Sequence, residues 1–518
     1  MIEKEKKKIR TKEKNVIEDF KKDTNEEQKI LENYEIESEK IKIDVTIKKT
    51  GTKITYFLNF PEIKIATRAL LENVRNELLS SLNISIKEML NQSSLEFLKK
   101  KFLDEAMRIL GEKVPTMKKE TLEFLSLNLL HTMLGLGNLE FLINDKNLEE
   151  IVIPASKEQI RVFHKKYGWL ETNIIIESEE EIANYSNIIA RRAGRQINLL
   201  NPLLDAHLTS GDRVNSILYP ISTKGNTITI RKFARDPYTM IDLIKNKTID
   251  IEIATILWLG IEYEMNIIFS GGTASGKTSI LNACMPFIPP NHRIISVEDT
   301  RELMLPDFLY WTPLVTRLPN AEGKGGIDML SLLINSLRMR PDRIVLGEIR
   351  RKEEAMVLFE AMHTGHSVYA TLHANNAAET ISRLTNPPIS LPINQLKAVN
   401  LNIVMFRDRR KEIRRVLQVA EFDVSENDAT PNILYRWIPE EDKMVKHSED
   451  SKFIENISKN IGMTLSEMEK NLKEKRMILE WLVENDIRDL KSFGKVMKIY
   501  YIDRKRLINA ILKTKKEK

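Results

Sequence analysis

Cysteine is nearly missing from this chain: Cys284 stands alone in 518 residues. A single thiol excludes an internal disulfide framework and any Cys-based zinc module. Long apolar runs are missing as well. No stretch of about 18 apolar residues occurs, so no transmembrane helix is expected. Aromatic residues make up only 7% of the chain, and none of them interleave with basic residues as a single-strand nucleic-acid groove would require. The formal charge of +6 is small for this length and does not call for a nucleic-acid partner, which wants a concentrated basic patch. The opening residues, Met1 to Arg10, lack the apolar core of a secretory signal. Reducing cytoplasm is therefore the expected setting.

What is present is an ordinary globular composition, 42% hydrophobic and 30% charged. The length suggests about three domains. Residues 1–41 are mixed Lys and Glu and read as a charged, disordered arm. Residues 42–130 alternate a strand-like piece with amphipathic helices, a small N-terminal α/β region. Residues 131–233 form an α+β unit, with strands near Glu149–Pro154 and a hairpin over Gln159–Phe163 and Gly168–Glu171. In that unit Ser178 and Glu181 are spaced as a capping box ahead of an apolar helix. Residues 234–249 read as a linker because Asp236-Pro237 disfavours continued regular structure. From 250 to 430 short apolar strands alternate with helices, the mark of a parallel α/β sheet. Residues 431–518 read as helical, with Thr464 and Glu467 as a second capping box. Leu465, Met468, Leu472, Leu479 and Leu482 form one apolar stripe there, read as core packing.

The sharpest motif is Gly271-Gly272-Thr273-Ala274-Ser275-Gly276-Lys277-Thr278, which fits G-x-x-x-x-G-K-[ST]. A short apolar strand precedes it, and a helix opening at Ser279 follows. Glycines let the backbone curl so that successive N–H groups and the helix N-terminus face one anion. Lys277 is placed to reach β- and γ-phosphates, and the Thr278 hydroxyl to ligate Mg²⁺. This arrangement implies a bound nucleoside triphosphate, ATP, with Mg²⁺.

Downstream acids indicate what is done with it. Arg293–Asp299 is an apolar strand ending in Glu298 and Asp299, and Arg343–Glu348 is a second, ending in Glu348. In a parallel sheet the C-terminal strand ends converge beside the P-loop. Acids there can hold Mg²⁺ through water or polarise an attacking water. Gly347 stands where many P-loop motors carry an Asp. Glu298 is assigned as water-activating base and Glu348 as the metal-side acid, with the reverse division left open. Three of the eight histidines, His363, His366 and His373, flank the apolar strand Val368–Leu372. Zinc is one reading of the first pair, but no Cys or Glu completes a tetrahedral set. A neutral imidazole sensing the γ-phosphate, His373, fits better.

These blocks in this order resemble the type II/type IV secretion ATPase superfamily, whose members power secretion, pili, conjugation and the archaellum. The resemblance runs from Gly135 to about Phe422. The stretches Ser336–Arg343 and Arg383–Pro388 and the helical tail are similar to archaeal members. It implies a RecA-like P-loop ATPase core with a separate α+β N-terminal domain and a helical C-terminal tail, assembled as a homohexamer. It further implies docking on a polytopic membrane platform protein and peripheral placement at the inner face of the cell membrane. Arginines from the N-terminal domain reach the phosphates in such motors, and Arg213 and Arg231 stand at the matching places. Arg301 is a third candidate. The basic run Arg407–Arg415 reads as a hairpin tip, either solvated or in contact with the platform or anionic lipid. The implied activity is an ATP-hydrolysing motor for a pilus-like filament or for secretion. An archaellum motor and a RecA-like nucleic-acid motor stand as alternatives.

Overall fold

Two nine-stranded sheets organise the described residues, one in each of two units that divide between Ala234 and Arg235. The computed structural model describes residues 28–38, 41–60, 65–81, 92–208, 211–233, 237–319, 323–448 and 450–517. The first unit contains β1 (Lys29–Ser38), β2 (Ile41–Thr50), β3 (Lys53–Asn59), β4 (Leu148–Ile153), β5 (Gln159–His164), β6 (Gly168–Ile175), β7 (Leu203–His207), β8 (Arg213–Ile217) and β9 (Thr227–Arg231). They line up as β1-β2-β3-β6-β5-β4-β9-β8-β7. Alternating burial along β2 and β5 turns Ile43, Val45, Ile160 and Val162 inward and leaves Lys42, Asp44, Gln159 and Arg161 outside. Helices Ile65–Ser81, Gln92–Lys113, Lys119–Leu134 and Glu179–Arg192 contribute to the same apolar cluster.

Three expectations for this unit need correction. The charged arm, 1–41, holds a strand in its last part: β1 pairs antiparallel with β2. Lys29, Glu35 and Glu37 face solvent, Glu32 accepts from Tyr167 and Lys166, and Ile36 and Ser38 are buried. Residues 1–27 lie outside the described residues. The boundary at 130/131 is crossed by the sheet, since β3 pairs in parallel with β6 through Thr55–Glu171 and Tyr56–Thr172. Tyr34 from β1 and Tyr56 from β3 both donate to Asp145 Oδ2 at 2.7 Å, which stitches the two stretches together through one buried carboxylate. At the helix opening after Ser178, the Ser178 hydroxyl accepts from the Glu181 N–H. The Glu181 carboxylate is taken by the Tyr185 hydroxyl at 2.7 Å, so only half of the expected capping box forms.

The second unit contains β10 (Ile267–Gly271), β11 (Arg293–Glu298), β12 (Tyr310–Val315), β13 (Arg343–Leu346), β14 (Ser367–Leu372), β15 (Leu401–Asp408), β16 (Ile413–Val424), β17 (Ala429–Ile438) and β18 (Lys443–Lys446). Their order is β12-β11-β13-β14-β10-β15-β16-β17-β18. The first six in that order are mutually parallel and the rest return antiparallel. β10 and β14 are apolar and buried on both faces, as a helix-covered parallel sheet requires. The architecture is α/β, a RecA-like P-loop core with the loop leaving a central strand.

Boundaries differ here too. Residues 234–236 of the expected linker lie outside the described residues, but Met240–Lys245 within it is a helix with Met240, Ile241 and Leu243 buried. The region from 431 opens with strand rather than helix, because β17 and β18 extend the sheet to Lys446. Helices Lys452–Ile461, Leu465–Glu484, Leu490–Ile502 and Arg504–Glu517 then fold onto the second sheet's apolar core instead of trailing from it. Trp258 on helix Ile251–Glu262 stacks on Phe287 at 5.1 Å and meets the edge of Tyr500 at 4.8 Å. Such aromatic pairs add about 1 kcal/mol each beyond burial. In the apolar stripe, Met468, Leu479 and Leu482 are buried, Leu472 packs at the margin, and Leu465 is exposed.

Candidate active site

Strand order decides which side chains meet. β10 carries the P-loop, β14 lies beside it, then β13, then β11. Ser270 is opposite Leu372, Leu346 opposite Ala370, and Val297 opposite Leu346. The residues just beyond these ends, Gly272–Thr278, His373, Glu348 and Glu298, are therefore set side by side along one edge.

Within the loop the chain makes turns that side chains resist. Gly276 adopts φ 96° at the helix N-terminus, and Ala274, which has a Cβ, sits at φ 57°. A Cβ at Gly271 would come within 2.7 Å of the Met405 carbonyl oxygen, so no larger residue fits there. Thr273, Ala274 and Ser279 are exposed, and Gly272, Gly276 and Thr278 half-buried. The Ser275 side chain is buried, and its Oγ makes no hydrogen bond. Lys277 Nζ donates to the Gly271 and Gly272 carbonyl oxygens, each at 3.0 Å. Burial lowers its pKa from the ordinary lysine value, against the attraction of Glu348 and Glu302.

His373 links the lysine to the acid. Its Nε2 lies 3.1 Å from Glu348 Oε1 and 3.5 Å from Lys277 Nζ. Burial and the Lys277 charge lower its pKa, with Glu348 opposing, so the ring is neutral at pH 7. A neutral ring protonated on Nε2 donates to Glu348, and the lysine approach is then a contact without a hydrogen bond. Glu348 Oε2 accepts from Arg350 Nε at 2.7 Å, and Arg350 is also ion-paired with Asp299. Arg350 thus ties the two acidic blocks together, a role nothing in the motif pattern announced. The only signal was an arginine two residues past a strand-terminal Glu.

Glu298 is different in kind. It is 1% exposed. Its Oε1 accepts from the Glu302 and Leu303 N–H groups at 2.9 and 3.0 Å, while Oε2 is buried with no hydrogen-bond partner. Burial pushes its pKa up to about 7, against the two backbone hydrogen bonds. A carboxyl near neutrality with one unengaged oxygen suits proton exchange better than the firmly paired Glu348.

Arg213 and Arg231 belong to the first unit. They are direct cross-strand partners on β8 and β9, and Arg213 makes a two-pronged ion pair with Asp205 at 3.0 and 2.6 Å. Like charges placed opposite each other destabilise a sheet unless an anion offsets them. Arg301 lies over the Trp311 ring at 5.1 Å. His363 ends helix Lys352–His363, and His366 Nδ1 lies 3.2 Å from the Ala361 carbonyl oxygen. The basic run does form a turn, between β15 and β16, but its members divide. Arg415 is buried against Asp442, and Arg414 reaches the Ala274 carbonyl oxygen at 3.2 Å.

A family model for type II/IV secretion system proteins matches residues 202–412. An uncharacterised protein of Methanocaldococcus jannaschii, MJ0900, is 36% identical over 77% of this chain and 73% of its own length. The type IV secretion system protein VirB11 of Bartonella quintana is 27% identical over 47% of this chain and 77% of its own. The chain belongs to the type II/IV secretion ATPase superfamily. In the X-ray structure of the Legionella pneumophila ATPase DotB, the aligned part covers 72% of this chain and 93% of that one, at 19% identity and a TM-score of 0.41. Among the described residues, no helix of this secretion ATPase is long and apolar enough to cross a membrane.

Proposed function

We propose that this member of the superfamily is a Mg²⁺-dependent ATPase whose hydrolysis drives assembly of a pilus-like filament or protein secretion. The observation that carries this reading is the meeting of Lys277, His373 and Glu348 beside a buried Glu298 whose pKa is about 7. Backbone N–H groups of Gly271–Ser279 cradle the phosphates, and Lys277 offsets their charge. The Thr278 hydroxyl and the Glu348 carboxylate would supply oxygen donors for Mg²⁺, which prefers hard oxygens and keeps several waters. Bound there, Mg²⁺ would neutralise charge on the β- and γ-phosphates.

Glu298 accepts a proton from water as the water oxygen bonds to the γ-phosphorus and the bond to the ADP oxygen breaks. With nucleotide bound, the single N–H of neutral His373 turns from Glu348 to a phosphate oxygen and registers its departure. Arg213 and Arg231 offset charge on the phosphoryl group in the transition state, a role worth ~10³–10⁵ in rate where an arginine finger operates. In this reading the chain works as a homohexamer on a polytopic membrane protein, peripheral at the inner face of the cell membrane. Family membership supports that assembly.

Phosphate release from MgATP by the purified protein, lost in Lys277→Ala, tests the enzyme. Sedimentation with a non-hydrolysable analogue tests the ring, and a strict monomer at high concentration with analogue bound would sink it. Stimulation by single-stranded DNA at moderate salt would favour a nucleic-acid motor instead.

A further inference from the structure

The second residue of strand β16 reaches into the P-loop. Because β16 runs antiparallel to β15, its beginning, and not its end, lies at the edge where the loop leaves β10. Arg414 and Arg415 therefore point to opposite faces. Arg415 is buried against Asp442, while Arg414 turns to the loop. Its Nε donates to the Ala274 carbonyl oxygen at 3.2 Å, and its Cδ lies 3.5 Å from where a Cβ on Gly276 would stand.

Ala274 is the loop residue that most needs holding. At φ 57° it is left-handed despite carrying a Cβ, a conformation that disfavours alanine by about 5- to 30-fold in population. The peptide that follows it is tied at both ends. Its carbonyl accepts from Arg414, and its N–H, that of Ser275, donates to the Gly272 carbonyl at 3.3 Å. Those two bonds fix the plane of the Ala274–Ser275 peptide and so the direction of the N–H groups around it.

We propose that Arg414 is a positioning residue for nucleotide binding, holding the Ala274 peptide of the P-loop in its left-handed turn from the neighbouring β15–β16 hairpin. The proposal rests on the nucleotide-binding reading of the loop. It also explains how an alanine stands where glycine would adopt the same turn without strain.

Four forms of the full chain test it: wild type, Arg414→Ala, Ala274→Gly and the double variant. Calorimetric titration with MgADP, ATP turnover and hydrogen exchange of the loop amides are the readouts. Arg414→Ala should weaken MgADP binding about fivefold or more, raise KM with kcat changed less, and speed exchange across Gly271–Lys277. Ala274→Gly in the same chain should restore affinity, because glycine needs no clamp. Wild-type affinity and exchange in Arg414→Ala would overturn the proposal. So would a weakened Arg414→Ala protein that Ala274→Gly fails to rescue, since a general loss of hairpin structure, or direct contact of Arg414 with the ligand, would not respond to position 274. A wild-type protein that ignores MgADP while its loop still loosens in Arg414→Ala would refute the nucleotide reading and leave the clamp standing.

Discussion

Replacing Glu298 by Gln separates the chemistry of the site from the cost of building it. The two share a shape, and the Gln oxygen can accept from the Glu302 and Leu303 N–H groups that now bind Oε1. Raising a carboxyl from its ordinary 4.5 to about 7 costs the ionised form about 3 kcal/mol. Between these values the folded state holds a proton that the unfolded state has released. Wild-type stability should therefore fall as pH rises from about 4.5 to about 7, and then level off. Gln has no such proton to lose. Glu298→Gln should match the wild type near pH 4.5 and exceed it above pH 7 by up to about 3 kcal/mol, a gain of several degrees in Tm. Turnover should move the other way. Wild-type kcat should rise with pH through about 7 as Glu298 ionises, and the Gln protein should lose about 10²-fold or more while keeping MgADP affinity. Thermal unfolding and steady-state turnover at several pH values measure both. Turnover at the wild-type rate in Glu298→Gln would refute the base assignment, and a Tm difference that ignores pH would refute the buried-carboxyl argument.

Arg213→Ala should lower kcat by about 10²-fold or more with MgADP affinity kept within about threefold; equal losses in both would make Arg213 a ground-state binder. Arg350→Ala frees Asp299 and Glu348 from their shared cation, so kcat should fall at least tenfold while the pH midpoint set by Glu298 stays near 7, and a moved midpoint would contradict the separation of the two acids. Reversing Arg409 and Arg410 to Glu at the β15–β16 turn should abolish filament assembly or secretion in cells and leave turnover of the purified protein within about twofold. Parallel loss of both activities would assign those arginines to the fold or the ring.

Legibility in the sequence followed the range of the interaction. The gathering of the P-loop, Glu298, Glu348 and His373 at one sheet edge could be read because each lies at the end of a short apolar strand, and parallel strands bring their ends together. The bridge from Arg350 to Asp299 and the reach of Arg414 to Ala274 could not, since strand order and strand direction set them rather than spacing. β1 was misread for a related reason. An edge strand exposing Lys and Glu on one face has the composition of a disordered arm, and what holds it is pairing with β2 and a tyrosine reaching Asp145, 111 residues away. The parallel pairing of β3 with β6 likewise leaves no local trace, so a single sheet was divided at 130/131.

The packing of Tyr500 and Phe493 against Trp258 and Phe287 has a consequence for the order of events during synthesis. A chain emerges from the ribosome N-terminus first, and domains fold as they appear. Here every strand of the ATPase sheet is made before the helices that cover its Trp258 flank. The nascent protein must carry that apolar face uncovered until residues near 500 arrive. A ribosome stalled after β18 would present a finished nucleotide loop on an unfinished body, a species prone to association with its neighbours on the same message.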